Sequence, residues 1–214
     1  MSASSFCPEV RDRIDFELSP EKAYSWCVLG ATRSGKSTLL EHLNEKYNNK
    51  KINILMTESP NADLYKGGSL KHDCLLAPGW MPSLVTECYR INRGTDNHYN
   101  FNFILDDMVG FSHSKVMKKI MTVYRNSNIG VMITGQTTGI LSPQAKSNIN
   151  FVALGKMNSD MEIENVIRYF LQSWFPTTMK KIDKIKCYKI ITEDHRFIMI
   201  NNLTGEIYVT KLKI

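Results

Sequence analysis

The chain has 214 residues, of which 43% are apolar and 22% charged, and its 27 lysines and arginines exceed its 21 acids to give a net charge of +6. This composition excludes a disordered chain, and the length predicts one domain spanning 1–214. Within it we expect residues 1–20 to form an N-terminal extension and residues 175–214 a basic C-terminal hairpin segment. The longest uncharged run, 126–145, is rich in polar residues, so no membrane span is predicted. A secretory signal is not expected either, because no apolar stretch follows a basic one at the N-terminus.

The cysteines are five in number, widely spaced, and without a Cys-x-x-Cys pair. This pattern predicts reduced thiols in a reducing compartment rather than a disulfide framework. His72 and Cys74 are the nearest approach to a metal-ligand pair. A structural zinc site needs four ligands at suitable spacing, so we interpret these two as unrelated loop residues.

Apolar runs alternate with helical patterns along the chain, which predicts an α/β fold with a mostly parallel central sheet flanked by helices. The predicted strands are, in chain order, 24–29, 52–56, 101–105, 129–134 and 151–154. The predicted helices are 36–47, 82–91, 114–125 and one that begins after Ser159, where Ser159 and Glu162 have the spacing of a capping box. Residues 196–201 and 206–212 predict a C-terminal β-hairpin.

A phosphate-binding loop (P-loop) is predicted between the first strand and the first helix, because residues 30–37 fit the pattern G-x-x-x-x-G-K-[ST] without a mismatch. Two glycines allow the backbone to curl around a phosphate, and the following helix begins with its amides pointing at the same place. In this pattern the lysine contacts the β- and γ-phosphates and the last hydroxyl faces Mg²⁺. The predicted nucleotide-binding residues are Gly30, Ala31, Thr32, Arg33, Ser34, Gly35, Lys36, Ser37 and Thr38.

Two carboxylates follow the apolar strand 101–105. A nucleotide–Mg²⁺ site needs a carboxylate near the ion, and Asp106 suits that position together with Ser37. Hydrolysis also needs a group that orients or deprotonates the attacking water, and Asp107 is the candidate general base.

Two further polar residues flank the strand 129–134. Gln136 follows its end and is a candidate sensor of the γ-phosphate or holder of the attacking water. Arg125 precedes its start. It is either a cation that complements the end of a helix or an arginine finger acting across a subunit interface.

Most of the net positive charge lies in the last fifth of the chain, where eight lysines and arginines exceed four acids within 175–214. Such a cluster attracts a polyanion or forms a solvated surface. The candidate nucleic-acid-binding residues are Lys180, Lys181, Lys184 and Lys186.

In this order the motifs resemble the FtsK–HerA superfamily of P-loop ATPases. Within it they most resemble the viral genome-packaging ATPases of the poxvirus, giant-virus and virophage type. The resemblance covers residues 25–157. It is carried by the P-loop, the strand ending Asp106-Asp107, the segment Arg125-x-x-Asn128-Ile-x-Val, and the strand ending in Gln136. Relatives often have Arg-His where this chain has Arg125-Asn126.

The resemblance implies a RecA-like core with an additional strand (the ASCE class), with ATP and Mg²⁺ as cofactors. It also implies a hexameric or pentameric ring with sites at the subunit interfaces, which moves double-stranded DNA into a preformed capsid at its portal vertex. The expected location is the host cell cytoplasm, at the viral factory, or the virion.

Other classes of protein fit the sequence less well. A small-molecule P-loop kinase needs an arginine-rich lid, and Arg168 is the one arginine between residues 156 and 180. A GTPase normally carries Asn-Lys-x-Asp, which the chain lacks. A DNA pump of the same superfamily that does not package genomes stays an alternative, and a non-enzymatic basic module leaves the intact P-loop unexplained.

Overall fold

The computed structural model describes residues 8–19, 21–57, 70–94, 99–106 and 115–212. Its strands are β1 (Val10–Arg11), β2 (Ser25–Leu29), β3 (Ile52–Thr57), β4 (Cys74–Leu76), β5 (Phe101–Asp106), β6 (Ile129–Gly135), β7 (Phe151–Leu154), β8 (Arg196–Asn201) and β9 (Glu206–Lys211). Its helices are α1 (Lys36–Asn48), α2 (Met81–Gly94), α3 (Lys115–Thr122), α4 (Pro143–Asn148), α5 (Asp160–Phe170) and α6 (Lys181–Ile191). Short 3₁₀ turns occupy Pro78–Trp80, Tyr124–Ser127 and Thr138–Ile140.

The strands of the described part form one sheet in the order β1-β9-β8-β7-β2-β6-β5-β3-β4. Every pairing is parallel except β7 with β8 and β8 with β9, which are antiparallel. Strand β6 therefore lies between β2, which leads into the predicted P-loop, and β5, which ends in Asp106. This is the additional-strand arrangement that the resemblance implies.

Side chains alternate between two apolar layers on the two faces of the sheet. One face packs against α2 to α6, with buried residues such as Val85, Ile163 and Tyr188. The other face packs against α1, whose Leu39, Leu40 and Leu43 are fully buried. Burial of these apolar side chains on both faces stabilises the mostly parallel sheet.

The segment before β2 extends the second layer. Phe16 is buried, and its ring lies 5.0 Å from that of Phe151 and 5.4 Å from that of Tyr208. The backbone amides of Asp15 and Phe16 donate hydrogen bonds to the hydroxyls of Tyr208 and Tyr47, respectively. Ile14, Phe16 and Leu18 thus pack in the layer that contains α1, and β1 pairs with the edge strand β9.

The predicted fold class is confirmed: a mostly parallel sheet, helices on both faces and an antiparallel C-terminal hairpin, β8–β9. One local prediction is wrong. Ser159 precedes α5 but makes no side-chain cap, and Glu162 does not complete a capping box, because its Oε2 accepts hydrogen bonds from the Thr138 amide at 3.1 Å and hydroxyl at 3.4 Å. Among the described residues, every helix is too short or too polar to cross a bilayer.

Candidate nucleotide-binding site

The P-loop lies where the sequence predicts it, between β2 and α1 at the carboxyl end of the parallel strands. Gly35, the residue before α1, has φ +92°, a left-handed conformation that favours glycine. A Cβ at Gly30 would lie 2.5 Å from Ser34 Oγ, so the first glycine leaves room for the loop to fold back on itself. Both glycines are therefore required by the geometry of the loop.

The backbone of the loop is held to the strands on both sides of β2. The Gly30 amide donates to the Gly135 carbonyl at the end of β6 at 3.0 Å. The Ala31 amide donates to the Lys156 carbonyl just beyond β7 at 2.7 Å. These bonds position the loop relative to the two neighbouring strands.

Two polar groups inside the loop fit a bound phosphate chain. The ammonium of Lys36 is buried and donates to the Ala31 carbonyl at 3.0 Å, so it is held against the loop itself. The hydroxyl of Ser34 is also buried, and it has no hydrogen-bond partner among the described residues. A buried unpaired hydroxyl costs free energy, and a phosphate oxygen would satisfy it.

Asp106 is buried at the end of β5, and its Oδ1 accepts a hydrogen bond from the hydroxyl of Thr134 on β6. Asp106 follows the buried Ile104 by two positions, and Thr134 follows the buried Met132 by two, so each lies on the same face of the sheet as that residue, in the layer under α1. The carboxylate thus lies on the same face of the sheet as α1, whose first turn carries the exposed hydroxyl of Ser37. Hard oxygen ligands of this kind are what Mg²⁺ prefers, so Asp106 and Ser37 fit its binding.

The other predicted site residues that the structure describes, Gln136 and Arg125, lie at opposite ends of strand β6. Gln136 is exposed directly after β6, one residue beyond the Gly135 carbonyl that binds the P-loop. Asp107 lies outside the described residues. The backbone of Arg125 lies in the 3₁₀ turn Tyr124–Ser127, before β6 begins. Because β6 runs parallel to β2, that turn is at the opposite edge of the sheet from the P-loop.

One neighbour of the P-loop, the turn before β8, was not predicted. The turn between α6 and β8 lies against the P-loop, where His195 Nδ1 is 3.3 Å from the Ser34 carbonyl oxygen. Beside it is a cavity of about 510 Å³ that Arg33, Lys156, Lys211 and Asp194 help to line. Cations therefore predominate on this side of the loop. Sequence reasoning had no signal for His195, which is 161 positions from its partner.

The four candidate DNA-binding lysines do not share one face of α6. Lys181 pairs with Glu164 of α5 at 2.7 Å. Lys184 is half-buried in the cleft between α5 and α6, together with Arg168. Lys186 is exposed on the outer face, and Lys180 is the exposed residue just before the helix. The cluster is thus divided between the cleft and the outer surface.

Cysteine and histidine form no metal site in the part of the chain that the structure describes, where no group of three or more potential ligands is found. His72 Nδ1 lies 2.9 Å from the Leu70 carbonyl oxygen. Cys27, Cys74, Cys88 and Cys187 are free thiols, and burial raises the pKa of Cys27 well above its ordinary value.

Neither a family model nor a curated protein matches the sequence. Solved structures match its fold over nearly the whole chain. The genome packaging NTPase B204 of Sulfolobus turreted icosahedral virus 2, in complex with AMPPCP, superposes with a TM-score of 0.65 at 13% identity, covering 92% of this chain and 100% of B204.

Two further solved structures have similar folds. The pCW3 conjugation coupling protein TcpA, with ATPγS, has a TM-score of 0.61 at 13% identity, covering 90% of this chain and 60% of TcpA. EssC (ATPases 2 and 3) from Geobacillus thermodenitrificans has a TM-score of 0.60 at 10% identity, covering 87% of this chain and 39% of EssC. The chain thus has the P-loop NTPase fold of these proteins, in agreement with the resemblance that its motifs carry.

Proposed function

We propose that this chain is an ATP-hydrolysing motor that moves double-stranded DNA, and that it packages viral DNA into a preformed capsid. One observation carries the proposal: the P-loop and the buried Asp106 lie on the same face of the sheet, separated by the additional strand β6. The similar fold of B204, a genome packaging NTPase solved with an ATP analogue, supports both ATP as the nucleotide and DNA packaging as the function.

In this mechanism the chain's own groups bind and orient the triphosphate. The amides at the start of α1 and the Lys36 ammonium bind its phosphates, and the Ser34 hydroxyl gains a partner. Ser37 and Asp106 would hold Mg²⁺, which would neutralise negative charge on the phosphates. Asp107 takes the proton of the attacking water, and Gln136 orients that water beside the γ-phosphate.

The assembly that we propose is a homo-oligomeric ring of six or five subunits. Arg125 of one subunit would complete the P-loop site of the next, because its backbone lies at the far edge of its own sheet. The lysines of α6 would contact the DNA backbone, and the ring would work at the portal vertex of the capsid in the host cytoplasm, at the viral factory, or in the virion.

A DNA pump that does not package genomes is the second candidate. It is favoured by the similar TM-score of the conjugation coupling protein TcpA, 0.61 against 0.65 for B204. A small-molecule kinase finds less support. Arg168, its one candidate lid arginine, is on α5 and donates to Asn165 at 2.9 Å and to the Tyr169 hydroxyl at 3.3 Å.

The test is ATP hydrolysis by the purified chain with and without double-stranded DNA, with Lys36→Ala as the matched variant. We expect DNA to stimulate hydrolysis and the variant to lose it. Phosphoryl transfer to a nucleoside monophosphate would instead identify a kinase. Uptake of DNA into capsids produced with and without the chain separates packaging from translocation alone.

A further inference from the structure

The turn Glu193–His195 has an unusual backbone. Asp194 and His195 have φ values of +52° and +58°, and two successive non-glycine residues in this left-handed region are uncommon. The turn is closed by the Arg196 amide, which donates to the Glu193 carbonyl at 3.1 Å. The carbonyl of His195 is itself fixed, because it accepts from the Leu212 amide after β9 at 3.2 Å.

This backbone directs the imidazole of His195 to the P-loop. Its Nδ1 lies 3.3 Å from the Ser34 carbonyl oxygen. Because a carbonyl oxygen only accepts hydrogen bonds, Nδ1 carries the hydrogen and donates. The bond joins the C-terminal segment to the middle of the P-loop across 161 positions of sequence.

The Ser34 carbonyl belongs to the peptide that carries the Gly35 amide. A trans peptide is planar, so its carbonyl and its N–H point in opposite directions. Holding the Ser34 oxygen toward His195 therefore directs the Gly35 N–H away from His195. Gly35 has φ +92° and no side chain, so little in its own structure resists a rotation of this peptide.

We propose that His195 is a positioning residue that keeps the Ser34–Gly35 peptide in the orientation in which the Gly35 N–H binds the triphosphate. The proposal rests on the proposed nucleotide-binding function and adds to it a contact from outside the P-loop motif. Two further hydrogen bonds hold the backbone beside this part of the P-loop. The Lys156 carbonyl accepts from Ala31 at 2.7 Å, and the Tyr188 hydroxyl donates to the Gly155 carbonyl at 2.7 Å.

The test compares His195→Asn with His195→Gly. Asparagine tolerates a positive φ and retains a short N–H donor, whereas glycine tolerates the same φ and removes the donor. We expect His195→Gly to weaken ATPγS binding about tenfold, because the hydrogen bond from the Gly35 N–H to the charged phosphate is lost. His195→Asn should stay within about twofold of the wild type.

The kinetics provide a second readout. A contact to phosphate that is equal in the ground and transition states affects KM and leaves kcat nearly unchanged, so His195→Gly should raise KM for ATP about tenfold. Competition by inorganic tripolyphosphate for ATPγS binding should weaken by the same factor, which assigns the effect to the phosphates.

The outcomes separate this inference from the proposed function. A wild-type chain that does not bind ATPγS would overturn both. A wild type that binds, with His195→Gly equal to it, or with His195→Asn as weak as His195→Gly, overturns the role of His195 alone. If thermal unfolding shows that His195→Gly does not fold, His195→Asp replaces it, because aspartate tolerates a positive φ and has no N–H donor.

Discussion

Thr134 is one residue that orients the carboxylate of Asp106. It donates to Asp106 Oδ1 in a buried environment, where the exposed fraction of Thr134 is 0% and that of Asp106 is 4%. Thr134→Val keeps the shape of the side chain and removes this donor. We expect the variant to need more Mg²⁺ for half-maximal ATP hydrolysis and to turn over about tenfold more slowly, because a hydrogen bond to a charged group is lost.

Thr134→Ser is the matched control, since serine keeps the hydroxyl and loses only a methyl group. Its Mg²⁺ dependence should follow that of the wild type. If Thr134→Val hydrolyses ATP with unchanged Mg²⁺ dependence, Asp106 is not oriented by Thr134 for metal binding.

Lys51 is a buried cation far from the P-loop, at the edge of the sheet where β3 begins. Its Nζ donates to the Lys22 carbonyl at 3.0 Å, and burial lowers the pKa of Lys51 to about 8. The folded chain therefore binds this proton less tightly than the unfolded chain does. Burial of the protonated Lys51 therefore lowers the free energy of unfolding. This loss of stability is fully present below pH 8 and disappears as the pH rises toward 10.5.

Lys51→Met removes the buried charge. Relative to this variant, the free energy of unfolding of the wild type should rise by up to about 3 kcal/mol between pH 8 and pH 10.5. Chemical denaturation at several pH values measures the difference. Lys50→Met, at the exposed neighbouring position, is the control and should show no such rise. A difference between wild type and Lys51→Met that does not change with pH would contradict the assignment.

At the scale of elements, α6 determines how the C-terminal lysines face solvent. Lys184 lies in the cleft beside α5 and Lys186 on the outer face, so we do not expect one DNA duplex to contact both side chains. Each lysine that contacts a phosphate contributes about 0.9 to the slope of log K against log salt concentration. If the cleft binds DNA, Lys184→Gln should lower the slope by about 0.9 and Lys186→Gln should change it little.

The control is Lys189→Gln on the same helix, because Lys189 pairs with Asp160 at 2.6 Å. Fluorescence anisotropy of labelled duplex DNA over a salt series measures the slopes. Unchanged slopes in both Lys184→Gln and Lys186→Gln would show that these lysines form an ordinary solvated surface.

Elements with a strong apolar run were predictable, and β7 has the predicted bounds, Phe151–Leu154. Helix α6 was missed because Ile182 and Ile190 are exposed whereas Cys187 and Tyr188 are buried, so its pattern lacks an apolar stripe. Strand β4 has three residues and β1 two, which is too short for a periodic signal. Both exist because they pair with an edge of a sheet that the rest of the chain builds.

The candidate site divides in the same way. The P-loop is contiguous in sequence, and its glycines follow from local geometry, so its pattern is sufficient to predict it. Thr134 and His195 act through contacts 28 and 161 positions away, and no local pattern marks them. The misassigned Glu162 illustrates the reverse case, because a local motif was replaced by a bond to Thr138 in another turn.

At the scale of the whole molecule, the candidate functional residues lie at two opposite ends of the parallel strands. The P-loop, Asp106 and Gln136 lie at the carboxyl ends of the parallel strands, and the turn that carries Arg125 lies at their amino ends. Strand β6 has seven residues, so about 20 Å separates the two edges. An arginine side chain is too short to cross that distance, so a role of Arg125 in hydrolysis requires another subunit.

A ring in which each subunit presents one edge to the next has a heterologous interface, and every site then combines two chains. Mixing subunits tests this arrangement. Arg125→Ala protein keeps an intact P-loop and Lys36→Ala protein keeps an intact Arg125, so each alone should be inactive. In a 1:1 mixture, about a quarter of the interfaces would pair the intact P-loop with the intact arginine, and hydrolysis should recover to at most that fraction.

The dependence on mixing ratio distinguishes a shared site from simple contamination. Recovered activity should be greatest near equal amounts and fall when either variant is in excess, because a complete site needs one subunit of each kind. The double variant Lys36→Ala/Arg125→Ala, mixed with either single variant, forms no complete site and is the control. If no ratio restores hydrolysis although the two proteins assemble together, Arg125 does not act between subunits. Because the P-loop of its own subunit is out of reach, Arg125 is then a cation that complements the end of a helix.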